Sequence, residues 1–231
     1  MNNEKFLKYC IKNLDFDIPD LLEDYYSSVS LCAMDSIFSI NTKYEAVKNA
    51  ISNFCEYFQL KKGYPKKGEI PPIKKQISVS EICTLINNID VDVLASEVFK
   101  NRQRTSPTNG ILKADAALRF IKIISDFGIE YYQDIPKLIL NETFEDCIKR
   151  IPGQKSGISL KYFFMLTGSN DIIKPDRMIL GFIQDAIGVK VTPSEALSLI
   201  KYSVIALKKM GYENLNERHL DNLIWSYQRA K

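Results

Sequence analysis

Apolar residues recur at a spacing of three and four along most of the chain, which confines it to packed helices. The clearest run is Tyr44, Val47, Ala50, Ile51, Phe54 and Phe58, one face of a single helix. Ser78 with Glu81 fits a capping box opening a helix over Val79 to Ile86. Ile111 to Phe127 reads as a long helix with Leu118, Ile121 and Ile124 on its inner side, stopped by Gly128. Thr143 to Arg150 is a short helix ahead of Pro152. Thr192-Pro193-Ser194-Glu195 is a full helix start: a cap, a proline at the first position and a reciprocal glutamate. That helix runs to Met210 and stops at Gly211; Asn214 and Glu217 begin a last one ending near Ala230.

Strand signals are poor. Ile70 to Ile73 contains two prolines, which disfavour a ladder. Lys61 to Lys75 reads as a connection between helices, and Asn101 to Gly110 as a second irregular stretch. About ten short helices with brief links predict an all-α, two-lobed globule. At 231 residues and 45% hydrophobic content, the chain is long enough for one large domain or two small lobes. A net charge of +3 permits an anionic partner without demanding one. No apolar run approaches the roughly 20 residues that span a bilayer. The reading is a soluble, intracellular (cytoplasmic, nucleoid-associated) monomer without membrane contact.

Five cysteines, Cys10, Cys32, Cys55, Cys83 and Cys147, are widely spaced without a C-x-x-C pair. They read as free, mostly buried thiols, and no metal site is expected. The single histidine, His219, has Arg218 and Asp221 beside it and reads as helix surface.

Ile151-Pro152-Gly153-Gln154-Lys155-Ser156-Gly157-Ile158-Ser159 punctuates this pattern. A short helix ends at the proline, two glycines bracket a tight turn, and a second helix opens at Gly157 or Ile158. Such a turn aims backbone N–H groups outward at a helix N-terminus, an anion site suited to a phosphate. Lys155 and Ser156 add a charge and a hydroxyl. The same turn also serves as a plain helix connection. Further on, Ile173-Lys174-Pro175-Asp176-Arg177-Met178 leads into an amphipathic helix through Ile183, with Asp176 at its N-terminus. There an aspartate caps the helix, and it is also placed for chemistry.

The Ile-Pro-Gly hairpin, the apolar helix Ser159 to Thr167 ending at Gly168, and Lys174-Pro175-Asp176 opening the next helix resemble the helix-hairpin-helix DNA glycosylase superfamily, endonuclease III-like. The likeness is specific over residues 143–186. It implies one two-lobed unit over 1–231 with a cleft. A barrel lobe would span 32–170 and carry the hairpin at 151–159; a second lobe would join 1–31 to 171–231. It further implies a double-stranded DNA partner and excision of a damaged or modified base, with Asp176 as the catalytic carboxylate. Asp35 to Tyr44 is similar to the family's early helix beside DNA, which places Asn41 where a residue fills the gap left by the extruded base; Asn41-Thr42 equally reads as a cap for the following helix. Gly153, Gln154, Lys155, Ser156 and Gly157 would meet phosphates, joined by Arg102 and Arg104 from a donor-rich loop. Tyr44, Tyr162 and Trp225 are candidate pocket walls, with Phe163 nearby in sequence; each also suits a core.

Three departures matter. Lys155 stands where the usual hairpin has its second glycine, against the monovalent cation such hairpins hold; no other cofactor is implied. Gly157 occupies the position of the lysine nucleophile, so hydrolysis without a Schiff base is expected. The four-cysteine iron–sulfur cluster is absent from the sequence. A non-catalytic DNA-binding relative and a helical interaction module stand as alternatives.

Overall fold

The computed structural model describes residues 2–18, 25–64, 70–169 and 176–231. In chain order the elements are α1 (Asn2–Asn13), β1 (Tyr25–Tyr26), α2 (Val29–Phe38), α3 (Tyr44–Tyr57), β2 (Gly63–Tyr64), α4 (Val79–Ile86) and α5 (Val91–Val93), which runs into a π-helical turn at Leu94–Val98. After these come α6 (Lys113–Asp126), α7 (Glu142–Lys149), α8 (Ile158–Leu166), α9 (Arg177–Ile187), α10 (Pro193–Lys209) and α11 (Glu217–Ala230). The described chain is mostly helical.

Helix starts follow the local chemistry of their first turns. Ser78 and Glu81 close the expected capping box of α4, and Thr192 and Glu195 close that of α10 behind Pro193. The last helix departs from expectation. Its cap is Asn216, accepting from the His219 N–H at 2.8 Å, because Leu215 is still turned into the core. The notional Asn41-Thr42 cap of α3 is also absent: Lys43 stands at the cap position without a side-chain bond. Within the stretch read as a plain connection, Gly63–Tyr64 pairs antiparallel with Tyr25–Tyr26. A two-residue ladder is too short to show alternation in sequence.

The chain divides into two compact units, Met1–Leu21 with Ser169–Lys231, and Leu22–Gly168. In the central unit, α2 is buried along its whole length and is contacted by α3, α4, α6 and α8. Its burial on every side explains why apolar residues dominate it all round, with Ser30, Asp35 and Ser36 buried among them. The buried residues of α6 are Lys113, Ala114, Ala116, Ala117, Phe120, Ile121 and Ile124, while Leu118 falls on the flank. Phe120, Phe144 and Phe163 meet ring to ring beneath it, so Phe163 is core.

In the terminal unit, α1, α9, α10 and α11 surround a core that includes Phe6, Phe182, Ile200 and Ile224. His219 is not helix surface. It is buried, its Nε2 lies 2.9 Å from the Ile18 carbonyl, and Arg218 and Asp221 are buried beside it in sequence. Cys10, Cys32 and Cys55 are buried, and Cys83 and Cys147 are half-buried.

Candidate functional site

The hairpin between α7 and α8 is built from short consecutive backbone turns. The Ile151 N–H donates to Ile148, the Gln154 N–H to Ile151 and the Gly157 N–H to Gln154, at 2.9–3.1 Å. Gly153 and Gly157 hold positive φ of 89° and 68°, where a side chain is strained. A Cβ on Gly153 would also meet the Thr105 side chain at 2.6 Å. Thr105 in turn donates to the Pro152 carbonyl at 2.9 Å, which fastens the 101–112 loop to the hairpin.

Gly157 is the cap residue of α8 and offers its first turn no side-chain acceptor. Among the described residues the Ile158 N–H reaches only the Ser156 hydroxyl, at a loose 3.4 Å. A helix start left in this condition presents amide donors and positive potential to an anion. Gln154 sits beside it. The side chain is 1% exposed, its Oε1 accepts from the Ser159 hydroxyl, and its Nε2 has no partner among the described residues.

One turn beyond α2, Ser39 to Lys43 forms a projecting bend. Asn41 is exposed there with φ of 48°. Beneath the bend lies Lys113, the first residue of α6 and only 1% exposed. Its ammonium, with three N–H groups, lies within hydrogen-bond distance of four acceptors: the Phe38 carbonyl at 2.9 Å, the Ile40 carbonyl at 2.6 Å, the Gln103 Oε1 at 3.0 Å and the Thr42 hydroxyl. One cation therefore ties the Asn41 bend to the 101–112 loop. Burial pushes it down to about 8.

A second polar cluster lies in the same unit. Tyr26 donates to Asp35 Oδ2 at 2.6 Å, and Ser39 donates to Oδ1 at 2.9 Å. Asp35 is fully buried. Burial, and next the Asp35 carboxylate, drive the Tyr26 hydroxyl far up, with smaller contributions from the Tyr44 and Tyr162 hydroxyls. Tyr26, Tyr44 and Tyr162 are each half-buried.

In the terminal unit, Asp176 caps α9. Its Oδ1 accepts from the Met178 N–H at 2.8 Å and the Ile179 N–H at 3.3 Å. Lys174 and Pro175, which precede it in the motif, lie outside the described residues.

Residues 4–229 match the family described as "Domain of unknown function (DUF8548)". The chain belongs to the DUF8548 family. No curated protein matches it, and no solved structure does either.

In this DUF8548 chain the expected site residues separate into several environments. Lys155, Ser156, Asn41 and Arg102 are exposed, and all four belong to the central unit. Gln154, expected to reach a phosphate, is buried against α8. Arg102 pairs with Asp92 at 2.5 Å, and Arg104 donates to the Gly110 carbonyl, so the 101–112 loop is a closed structure rather than a fringe of free donors. Tyr44 and Tyr162 are half-buried in the central unit. Trp225 belongs to the terminal unit, where Arg229 lies 5.1 Å from its ring. Among the described residues no group of three or more His, Cys, Asp or Glu side chains could hold a metal, and no helix is long and apolar enough to cross a membrane.

Lys113, Tyr26 and Asp35 were not among the expected site residues. Lys113 had one sequence signal, its place on the otherwise apolar Ala114–Ala117–Ile121 stripe. Asp35 had another, a lone charge inside the apolar run Val29–Phe38.

Proposed function

We propose that this DUF8548 protein is a helix-hairpin-helix DNA glycosylase-like hydrolase. It would act as a monomer on double-stranded DNA and excise a damaged or modified base. The observation that carries this is the uncapped start of α8. Two left-handed glycines shape its approach, and exposed Lys155 and Ser156 flank it. That geometry suits a DNA phosphate, whose negative charge complements the amide donors and the lysine.

Asp176 is the proposed catalytic carboxylate. Breaking an N-glycosidic bond builds positive charge on the sugar, and a fixed carboxylate stabilises it and orients the attacking water. Its two amide bonds at the head of α9 fix the carboxylate in place. The base must leave the stack to be reached, and exposed Asn41 on its Lys113-held bend would fill the gap. Gly157 offers no amine for a Schiff base, so the strand is left uncut.

The same amide bonds favour one second reading, in which Asp176 only caps its helix and the protein binds DNA without chemistry. Asp176→Asn separates the two, because asparagine caps about as well as aspartate. Incubation with oxidised, alkylated, deaminated and mismatched duplexes should yield free base and alkali-labile abasic sites from the wild type. The variant should yield none while retaining DNA affinity. Full release by the variant, or salt-sensitive binding without release by the wild type, sinks the catalytic assignment.

A further inference from the structure

α10 turns Leu199, Ile200, Val204 and Leu207 into the core of the terminal unit. Its opposite side carries a second pattern. Ser198, Tyr202, Ile205 and Lys209 follow one another at intervals of four, three and four, the spacing of a seam between two helices. At about 100° per residue they form one strip, with Ile205 nearly opposite the core-facing stripe. All four are exposed, Ile205 to 57% and Tyr202 to 39%. A β-branched residue on an exposed helix face has a lower helix propensity than alanine or lysine, so α10 itself gains nothing from Ile205 there.

Charge along the strip has a single sign. From Ala196 to Tyr212 the charged side chains are Lys201, Lys208 and Lys209, with no Asp or Glu among them. Lys201 and Lys208 are seven residues apart, so they stand on the same flank of the seam, two turns from each other. All three lysines are exposed, and none enters a salt bridge among the described residues.

We propose that this face of α10 docks an acidic amphipathic helix of a partner protein. The partner lays a leucine-type stripe over Tyr202 and Ile205 and sets carboxylates against Lys201, Lys208 and Lys209. Apolar contact at the centre supplies attraction, and the lysine pattern selects the sign and the register of the incoming helix. A nucleic-acid backbone would satisfy the lysines but gain nothing from an isoleucine and a tyrosine at the centre of the strip. A second copy of α10 would bring lysine against lysine. The strip is three turns long, about 16 Å, which suits a weak, exchangeable complex. The proposal is independent of base excision, since none of these residues belongs to the hairpin or to the Asp176 cap.

The probe is a fluorescein-labelled synthetic peptide of three heptads, with leucine at the two seam positions and glutamate on both flanks. Its control carries lysine in place of glutamate. Fluorescence anisotropy with the full chain should show about tenfold tighter binding of the acidic peptide. Ile205→Ser should weaken that binding about tenfold, with helix content by circular dichroism unchanged because the residue is exposed. The double variant Lys201→Glu, Lys208→Glu should reverse the preference and take the lysine peptide. Equal affinity of the wild type for the two peptides overturns the proposal, and so does acidic-peptide binding undiminished in Ile205→Ser or in the double variant. Dimerisation of the wild type in analytical ultracentrifugation that Ile205→Ser abolishes would assign the face to a second copy. Duplex-DNA affinity lost in the double variant, with neither peptide bound by the wild type, would assign it to nucleic acid. Each of these two results also overturns the proposal.

Discussion

Lys113 places an ammonium among two carbonyls, an amide oxygen and a hydroxyl, with no exposure worth the name. Its lowered folded value, about 8 against an ordinary 10.5, fixes the sign of a pH effect. Between those values the unfolded chain binds the extra proton, so stability rises with pH across that window. From about pH 7.5 to 9, wild type should gain of order 1 kcal/mol relative to Lys113→Met in urea denaturation. Thiol titration is shared by the two proteins and cancels from the difference; Cys55, pushed up to about 11 by burial, is one such thiol. A flat difference would mean that the four acceptors keep the ammonium fully charged. Pattern reading misses such a residue because it assigns lysines to solvent. It misjudged His219 likewise: buried groups at 218, 219 and 221 look like an ordinary polar helix face until Ile18 and the core are seen against them.

At the scale of elements, caps were the most legible feature. Ser78–Glu81 and Thr192–Glu195 are local chemistry, complete within four residues, and the structure forms both boxes. Pairings between distant segments were not legible. Tyr25–Tyr64 and Thr105–Pro152 depend on the whole fold. A hairpin glycine, Gly153, and the glycine that ends α9, Gly188, show the difference in energetic terms. Gly153 and Gly188 both hold positive φ, but only Gly153 has a neighbour within reach of a new Cβ, Thr105 at 2.6 Å. Gly188→Ala should cost about 1 kcal/mol from backbone strain alone. Gly153→Ala should cost at least about 1 kcal/mol more, because the 101–112 loop must also move. Equal losses in chemical denaturation would show that the loop yields freely and does not brace the hairpin.

At the scale of the molecule, helix content was readable from periodicity, whereas a partition into units came only with the family resemblance, because it rests on contacts between residues far apart in sequence. The terminal unit takes α1 from one end and α9 to α11 from the other. Phe6 is fully buried there and meets Phe182 edge to face at 6.0 Å. Phe6→Ala should remove about 3–5 kcal/mol, and hydrogen exchange should locate the lost protection in α9 and α11. Unchanged protection there would show that α1 is dispensable to that core.

That arrangement also sets a timetable for synthesis. All of the central unit emerges from the ribosome before the first residue of α9. With elongation at roughly 5–20 residues per second, α1 waits on the order of ten to forty seconds for its partners. During that interval Phe6, Leu7 and Cys10 have no core to enter, and a nascent chain stalled before α9 would present them to whatever chaperone stands nearest.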